Sequence, residues 1–241
     1  MSPRTAVSSL ADAPAAAAQA LDMLREHSLS SLAQRELERR IISGEIAAGA
    51  KLNEVDVATT LGVSRGPVRE AFAALGQAGL VRVEKNRGVF VRQVSLDEAN
   101  EFYEVRAALE GLIGRLAARR ISLDEIEQLR ALVRRMHQVQ KGRRAEDYFA
   151  LNVEFHDRLA RAARNNALLA NYRGVVNQLD LYRRATISRS VENIPLSTQE
   201  HESIVEAVAA RDEPRAQALL TEHVLVSRAR LHASLSAPGA A

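Results

Sequence analysis

The sequence contains no cysteine and no tryptophan, and aromatic residues account for only 4% of its 241 residues. Without cysteine the chain forms no disulfide bond, offers no thiol nucleophile and binds no metal through thiolate ligands. The sequence also lacks a run of about 18 apolar residues, which a membrane-spanning helix requires. Its alanine-rich beginning lacks the basic region of an export signal. We therefore expect a cytoplasmic protein with no membrane partner.

A large excess of charge of one sign is missing as well, because 33 Lys and Arg residues face 30 Asp and Glu residues. The charge is nevertheless uneven, since residues 28–93 carry ten basic and seven acidic side chains. Affinity for nucleic acid would therefore come from a local basic surface and not from a polybasic tail. The chain is long enough for two domains, and its many Ala, Leu and Arg residues are typical of a helical protein.

Two short helices separated by a tight turn are predicted between residues 53 and 77. Asn53 is a good N-cap for the first helix, and Gly62 tolerates the left-handed conformation at its end. Ser64 is a good N-cap for the second helix, and Pro67 falls in its first turn, where a missing N–H costs little. This arrangement predicts a helix-turn-helix.

The second of these helices has two different faces. Val68, Phe72 and Leu75 recur at helical spacing and form the predicted buried face. Arg65 and Arg69 are four residues apart and project together from another face near the N-terminus. A recognition helix presents its side chains to base edges and phosphates of the major groove from that position.

A small β-hairpin is predicted directly after the helix-turn-helix. Residues 80–83 and 89–92 are β-prone runs around a turn that contains Asn86 and Gly88. Lys85 and Arg87 place positive charge at its tip, so the unit is predicted to be a winged helix. The alternative is a small structural unit with merely solvated arginines, and the attached basic wing argues against it.

From Ser95 onward the pattern is helical, with no convincing strand. Ser-x-x-Glu capping boxes at Ser95, Ser122 and Ser197 mark three helix starts, with a loop predicted over residues 190–197. The fold class is mainly α, with an N-terminal winged helix-turn-helix and a C-terminal all-α antiparallel bundle of about six helices. The predicted divisions are a flexible tail at 1–27, the winged domain at 28–93, the bundle at 94–233 and a C-terminal tail at 234–241.

Three histidines of the predicted bundle are candidates for a metal centre. Asn152 and His156 are four residues apart and share one helix face. His201 and His223 each lie roughly eleven residues from a turn near Asp212, which places them at one height on facing helices. Three imidazoles and an amide oxygen suit Zn, Ni, Mn or Fe(II). The alternative is a set of hydrogen-bonded core histidines.

The N-terminal motifs resemble the DNA-binding domain of the GntR family of bacterial transcription regulators. The resemblance covers residues 37–91 and rests on Leu61-Gly62-Val63-Ser64-Arg65, Pro67-Val68-Arg69-Glu70-Ala71, Gly79-Leu80-Val81 and Arg87-Gly88. It implies DNA contacts by Ser64, Arg65 and Arg69 and a wing-tip contact by Lys85. Some members also use an Arg early in the second helix, where this sequence has Val55.

Residues 95–232 resemble the FCD domain, the all-helical effector domain of the FadR-like GntR branch. The matching residues include Asn152-x-x-Phe155-His156, His201, Arg211-Asp212 and His223. The resemblance implies a divalent metal held by His156, His201 and His223, with Asn152 where the commonest form has Asp.

The FCD resemblance also implies a ligand cavity with Arg106 on its wall, where a guanidinium would pair with a carboxylate. The plain alternative pairs Arg106 with Glu110 on its own helix. Tyr172 and Arg183 are further candidates for the cavity wall.

Together these features predict a ligand-responsive transcription regulator that binds a pseudo-palindromic double-stranded DNA operator as a homodimer. The expected effector is a small carboxylate, and the resemblance favours a repressor that the effector releases. One rival is a metal-dependent, hydrolase-like enzyme built on the bundle, in which an open metal position activates water. A second rival is an architectural DNA-binding protein with no effector.

Overall fold

A computed structural model describes residues 28–141, 144–184 and 193–236, so the predicted N-terminal tail lies outside the described residues. The described chain is mainly α, with one small sheet, as predicted from the sequence. None of the described helices is both long and apolar enough to cross a membrane. The helices are α1 (Leu29–Ile42), α2 (Glu54–Leu61), α3 (Arg65–Gln77), α4 (Leu96–Arg120), α5 (Leu123–Lys141), α6 (Ala145–Ala162), α7 (Asn166–Arg184), α8 (Ile194–Ala209) and α9 (Glu213–Ser236). The strands are β1 (Lys51–Leu52), β2 (Val81–Glu84) and β3 (Gly88–Val91).

The helix-turn-helix consists of α2, the turn at Gly62 and α3. The Asn53 side chain accepts a hydrogen bond from the Val55 amide at 2.9 Å, which satisfies one of the free amides of the first turn. Gly62 ends α2 with φ at +66°, as its type predicts. Ser64 holds the N-cap position of α3 without a capping hydrogen bond from its side chain. A buried apolar core joins α1 to both helices and to the sheet: Leu37, Ile41, Ala58, Val68, Phe72, Leu75, Leu80 and Val91.

The wing is a three-stranded antiparallel sheet in the order β1, β3, β2. Asn86 and Gly88 have φ angles of +62° and +113°, which is how the predicted turn closes the hairpin. The sequence pattern predicts a short extended connection over residues 46–52 and gives no indication of β1. Two residues are too few to show an alternating pattern, and β1 forms because Lys51 and Leu52 pair with Phe90 and Val89.

Local preference predicts Ser30 or Ser31 as the cap of the first helix, but helix α1 begins earlier, at Leu29. Ser28 is its N-cap, and the Ser28 hydroxyl accepts a hydrogen bond from the Ser31 amide at 3.1 Å. The predicted caps Ser30 and Ser31 therefore lie inside the helix. Local capping preference alone does not distinguish between serines spaced this closely.

Helices α4–α9 form the predicted bundle of six helices within the described residues. The long helix α4 packs against α6, α7, α8 and α9. Its approach to α9 is close, because a Cβ atom added at Gly114 would lie only 2.5 Å from the Ala216 carbonyl oxygen. The main core of the bundle includes Ile113, Leu116, Leu129, Met136, Phe155, Leu159, Ile204 and Leu220.

Two of the three predicted capping boxes form at helix starts, and the third does not. Ser95 with Glu98 begins α4, and Ser122 with Glu125 begins α5, in each case with both reciprocal hydrogen bonds. The helix predicted to start after Ser197 instead begins at Ile194. Pro195 lies in its first turn, where proline is compatible with a helix. Residues 194–197 are therefore helical and not part of a loop.

Helix α7 connects the bundle to the winged domain. The Asn177 amide donates a hydrogen bond to the Glu38 carboxylate of α1 at 3.1 Å, and Arg92 donates one to Gln178. Leu181 packs against the apolar core of the winged domain. One helix thus belongs to the bundle and touches the winged domain through partly buried side chains.

We predict that Gly114→Ala lowers the melting temperature of the protein, because the new methyl group would overpack the contact between α4 and α9. Overpacking of this kind costs about 1–3 kcal/mol. The matched control is Gly174→Ala in α7, where an added Cβ has no atom within 4 Å. It should be neutral or stabilising by up to about 1 kcal/mol. Equal melting temperatures for the two variants would contradict the close packing of α4 on α9.

Candidate functional site

The first candidate site lies at the N-terminus of α3. Ser64, Arg65 and Arg69 are exposed there, while Val68 and Phe72 on the other side of the helix are buried. The described structure therefore has the two-faced helix that the spacing predicted, with its arginines toward solvent.

Both arginines are bound by one carboxylate, which the sequence interpretation did not identify. Glu54 Oε2 accepts a hydrogen bond from Arg65 Nη2 at 3.0 Å and another from Arg69 Nε at 2.8 Å. Hydrogen bonds from Arg69 and Arg65 lower the pKa of Glu54, so the carboxylate remains ionised. Exposed ion pairs add little to stability. The contact therefore affects the position of the two guanidinium groups and the net charge of the surface that they form with Glu54.

The wing tip has two basic side chains, of which one is paired with an acidic residue. Arg87 pairs with Glu84 at 2.5 Å and lies 5.7 Å from the ring centroid of Phe90. Lys85 is exposed and makes no ion pair with another residue in the described ranges. Lys85 is therefore the more available of the two for a phosphate.

The second candidate site is a buried cluster of three histidines inside the bundle. His156 lies on α6, His201 on α8 and His223 on α9, and one ring nitrogen of each lies within 4.8 Å of the others. The His201 and His156 Nε2 atoms are 3.3 Å apart. Asn152 is also buried, one turn before His156. The predicted convergence of the three rings is thus present in the structure.

Each imidazole has a partner on its Nδ1 nitrogen. His156 Nδ1 lies 2.7 Å from Glu110 Oε2, and His223 Nδ1 lies 2.7 Å from Glu200 Oε2. His201 Nδ1 lies 3.4 Å from the Tyr148 hydroxyl. The carboxylates beside Nδ1 of His156 and His223 favour the tautomer whose Nε2 lone pair is free to bind a metal.

The buried environment of the cluster favours the neutral form of His156 and His201. Burial lowers the pKa of His156 to about 4 and holds the pKa of His201 well below its usual value. Metals bind the neutral form of imidazole. Three imidazole nitrogens and the nearby Asn152 amide oxygen form a donor set that suits a divalent first-row metal. The residues therefore fit a metal ion.

A cavity opens next to the histidine cluster and has a basic wall. It has about 90 Å³ of space for the centres of water-sized atoms. Arg106, Arg183, Asn152 and His223 line it, whereas Tyr172 is buried in the apolar core and is not among the lining residues. The other lining residues include Tyr103, Tyr148, Phe149, Asn193, Ile194, Ser197, Ser227, Arg230 and Leu231.

Arg106 combines the two roles that the sequence left as alternatives. It lines the cavity, and its Nε donates a hydrogen bond to Glu110 Oε1 at 2.7 Å. Burial alone would raise the pKa of Glu110, but the charge of Arg106 and the contact with His156 outweigh burial and lower the pKa to about 2. Glu110 is therefore an ionised bridge between Arg106 on the cavity wall and the ring of His156.

Two other arginines complete the wall and also have acidic neighbours. The Arg183 guanidinium lies 5.0 Å from the Phe149 ring centroid and 3.5 Å from Asp180 Oδ1. Arg230 pairs with Glu200, the residue that also holds His223. Each cation is thus held in place before any ligand arrives.

Sequence reasoning missed four residues of this site: Glu110 as a partner of His156, Glu200, Tyr148 and Arg230. Glu200 was assigned to a capping box, because Ser-x-x-Glu has the same local pattern inside a helix as at its start. A signal for Arg230 was present, since it follows His223 by seven residues and shares its helix face. Tyr148 had no recognisable signal.

Comparison with known proteins identifies both parts of the chain. Residues 101–225 match the FCD domain, and residues 29–91 match the bacterial regulatory proteins of the gntR family. The "Probable D-xylose utilization operon transcriptional repressor" of Paenarthrobacter nicotinovorans is 34% identical over 186 residues, covering 76% of this chain and 80% of that protein. The HTH-type transcriptional repressor RspR of Escherichia coli (strain K12) is 27% identical over 190 residues, covering 79% and 83%.

A solved structure supports the fold. E. coli McbR/YncC superposes with a TM-score of 0.72 over 87% of this chain and 99% of that one. At 20% identity, this likeness bears on the fold alone.

Proposed function

The chain belongs to the gntR family of bacterial regulatory proteins and carries an FCD domain, and from that membership we propose how this transcriptional regulator reads DNA and senses an effector. Its relatives are DNA-binding repressors and regulators, so its bundle serves regulation and not catalysis. The observation that carries the proposal is the buried convergence of His156, His201 and His223 beside a cavity with a basic wall.

For DNA recognition, we propose that α3 enters the major groove with Ser64, Arg65 and Arg69 toward the DNA. Their exposure at the helix N-terminus supports this role. Lys85 and Arg87 at the wing tip would contact phosphates or the minor groove. One such unit covers only a half-site, so the protein would act as a homodimer on a pseudo-palindromic operator.

For effector sensing, we propose that His156, His201, His223 and the Asn152 side-chain oxygen hold a divalent metal: Zn, Ni, Mn or Fe(II). The metal would supply positive charge for an anionic ligand. The Nδ1 partners Glu110, Glu200 and Tyr148 support this proposal, because they orient the rings as ligands of a buried metal are oriented.

The effector would be a small organic acid, bound by the metal and by Arg106 and Arg183. The cavity has about 90 Å³ of space for the centres of water-sized atoms, so it has room for a small ligand. The guanidinium groups on its wall favour a carboxylate. The names of the relatives favour a repressor, and we propose that the effector releases it from DNA.

Helix α7 is the proposed route from effector to DNA. Arg183 lies on the cavity wall, while Asn177 and Gln178 of the same helix contact Glu38 and Arg92. A ligand that binds one position of α7 better than another would shift the winged domain and so change the spacing of the two recognition helices.

We predict that Arg69→Ala weakens binding to a duplex that the parent protein selects from a random library. A good bidentate contact of an arginine with a base contributes about 1–3 kcal/mol, or roughly five- to 150-fold in affinity. Fluorescence anisotropy measures the affinity, and circular dichroism checks the fold. Arg130→Ala, an exposed arginine on α5, is the control and should leave binding unchanged. Unchanged binding by Arg69→Ala would refute the assigned contact.

We predict that His201→Ala removes a metal that elemental analysis detects in the parent protein after dialysis against a zinc-containing buffer. Losing one of three imidazole ligands leaves too few donors to retain the ion. The control is His137→Ala, because His137 is an exposed histidine on α5, paired with Glu202. Equal metal content in the parent and both variants would show that the cluster is not the binding site.

We predict that at least one small mono- or dicarboxylate raises the melting temperature of the zinc-loaded protein and dissociates it from DNA. Arg106→Lys should require about tenfold more of this compound for dissociation, because lysine lacks the bidentate fork of arginine. DNA affinity without the compound should stay unchanged. Arg119→Lys, exposed on the same helix, is the control. If no carboxylate in the screen affects either property, the effector proposal fails and the architectural alternative is favoured.

A further inference from the structure

In the contact between Glu54 and the two arginines of α3, the arginine side chains are more exposed than the carboxylate. The Glu54 side chain is 30% exposed, whereas the side chains of Arg65 and Arg69 are 56% and 60% exposed. The carboxylate is thus the least accessible of the three charged groups. A DNA duplex can therefore reach the guanidinium groups more readily than their acidic partner.

The local fold fixes the carboxylate in this place. Glu54 is the first residue of α2, where the free amides and the positive end of the helix dipole favour an acidic side chain. Asn53 caps that same end, and the side chains of Arg65 and Arg69 reach Glu54 from the first turns of α3. Glu54 is therefore held by the helix-turn-helix itself and not by a mobile loop.

The atoms used in this contact leave a defined part of Arg69 available. Glu54 accepts from Nε of Arg69, so the edge formed by the two terminal amino groups of that guanidinium is left available. Two parallel N–H groups of this kind match the O6 and N7 acceptors of guanine. An arginine held in this way loses less side-chain entropy when it makes the contact.

Glu54 also changes the net charge of this surface. Two guanidinium groups and one ionised carboxylate carry a net charge of +1, where the arginines alone would carry +2. Binding to DNA of any sequence depends on neutralised phosphates, whereas selection between sequences depends on contacts with bases. A carboxylate here would weaken binding to DNA of any sequence and favour selection between sequences.

We propose that Glu54 is a positioning residue that raises the sequence specificity of DNA recognition through Arg65 and Arg69. Glu54 orients Arg69 toward a guanine. Its negative charge also weakens the attraction of this surface to phosphates at other sequences. This inference rests on the proposed function, in which the two arginines contact DNA.

The test is the variant Glu54→Gln, which keeps the size of the side chain and removes its charge. Two duplexes serve as probes: the one the parent protein selects from a random library, and a scrambled duplex of equal length and composition. We expect the ratio of their dissociation constants to fall about five- to tenfold, part of the range for one bidentate contact. Binding to the scrambled duplex should tighten, and its salt slope should steepen by about 0.9, the value for one added phosphate contact.

The matched control is Asp56→Asn. Asp56 is an exposed acid two residues along α2, about 200° around the helix from Glu54. The same charge is removed, but the arginines keep their partner, so the ratio of the two dissociation constants should stay within twofold of the parent value. A fall in this ratio equal to that of Glu54→Gln would show a general charge effect and would overturn the proposal.

A double-variant cycle shows whether Glu54 acts through Arg69. Added to Arg69→Ala, Glu54→Gln should lower the ratio by less than it does in the parent background, because only Arg65 is then left for Glu54 to position. An equal effect in both backgrounds would show that Glu54 does not act through Arg69 and would overturn the proposal.

An unchanged ratio for Glu54→Gln alone would overturn the proposal as well. It would leave the DNA contacts themselves intact, provided that Arg69→Ala still loses affinity. If Arg69→Ala binds normally, the proposed function fails first and this inference fails with it.

Discussion

The buried ion pair of Arg106 and Glu110 is the interaction on which the rest of the bundle site depends. A buried ion pair must offset the loss of hydration of both charges, and it does so only with good geometry and additional partners. Glu110 has these partners, because one oxygen accepts from Arg106 and the other faces His156 at 2.7 Å. The pair therefore fixes the guanidinium on the cavity wall and the imidazole of the proposed metal centre at the same time. Glu200 has a parallel role between Arg230 and His223.

This arrangement has a consequence for regulation. Histidines on α6, α8 and α9 meet beside a cavity that α7 also lines through Arg183. A ligand bound there would touch several helices, including the one that contacts the winged domain through Asn177 and Gln178. Coupling of two sites through a shared helix is reciprocal. If the effector weakens DNA binding by some factor, bound DNA weakens effector binding by the same factor.

The sequence predicted those features that depend on spacing along one helix or across one turn. His201 and His223 were expected at one height because the helical rise converts equal distances from a turn into equal heights, and the structure brings them together. Gly62, Asn53, Asn86 and Gly88 were predicted from backbone and capping preferences, and their conformations confirm it.

The features that the sequence interpretation missed depend on contacts between elements. Strand β1 has two residues and exists only because β3 offers it hydrogen-bonding partners. Glu54 and Arg69 are fifteen residues apart and meet because the turn folds α3 onto the start of α2. Glu200 was misassigned because its local pattern is that of a helix cap, and only the packing of α9 on α8 shows that it binds His223 and Arg230.

The most direct test of the proposed metal site in the bundle is an anomalous X-ray scattering experiment on crystals of the full chain grown with zinc. Data collected on both sides of the zinc absorption edge locate the ion without reference to function. We predict an anomalous peak among His156, His201 and His223, at about 2.0–2.1 Å from one nitrogen of each ring. Well-ordered imidazole rings with no anomalous peak between them would contradict it, and the histidines would then be hydrogen-bonded core residues.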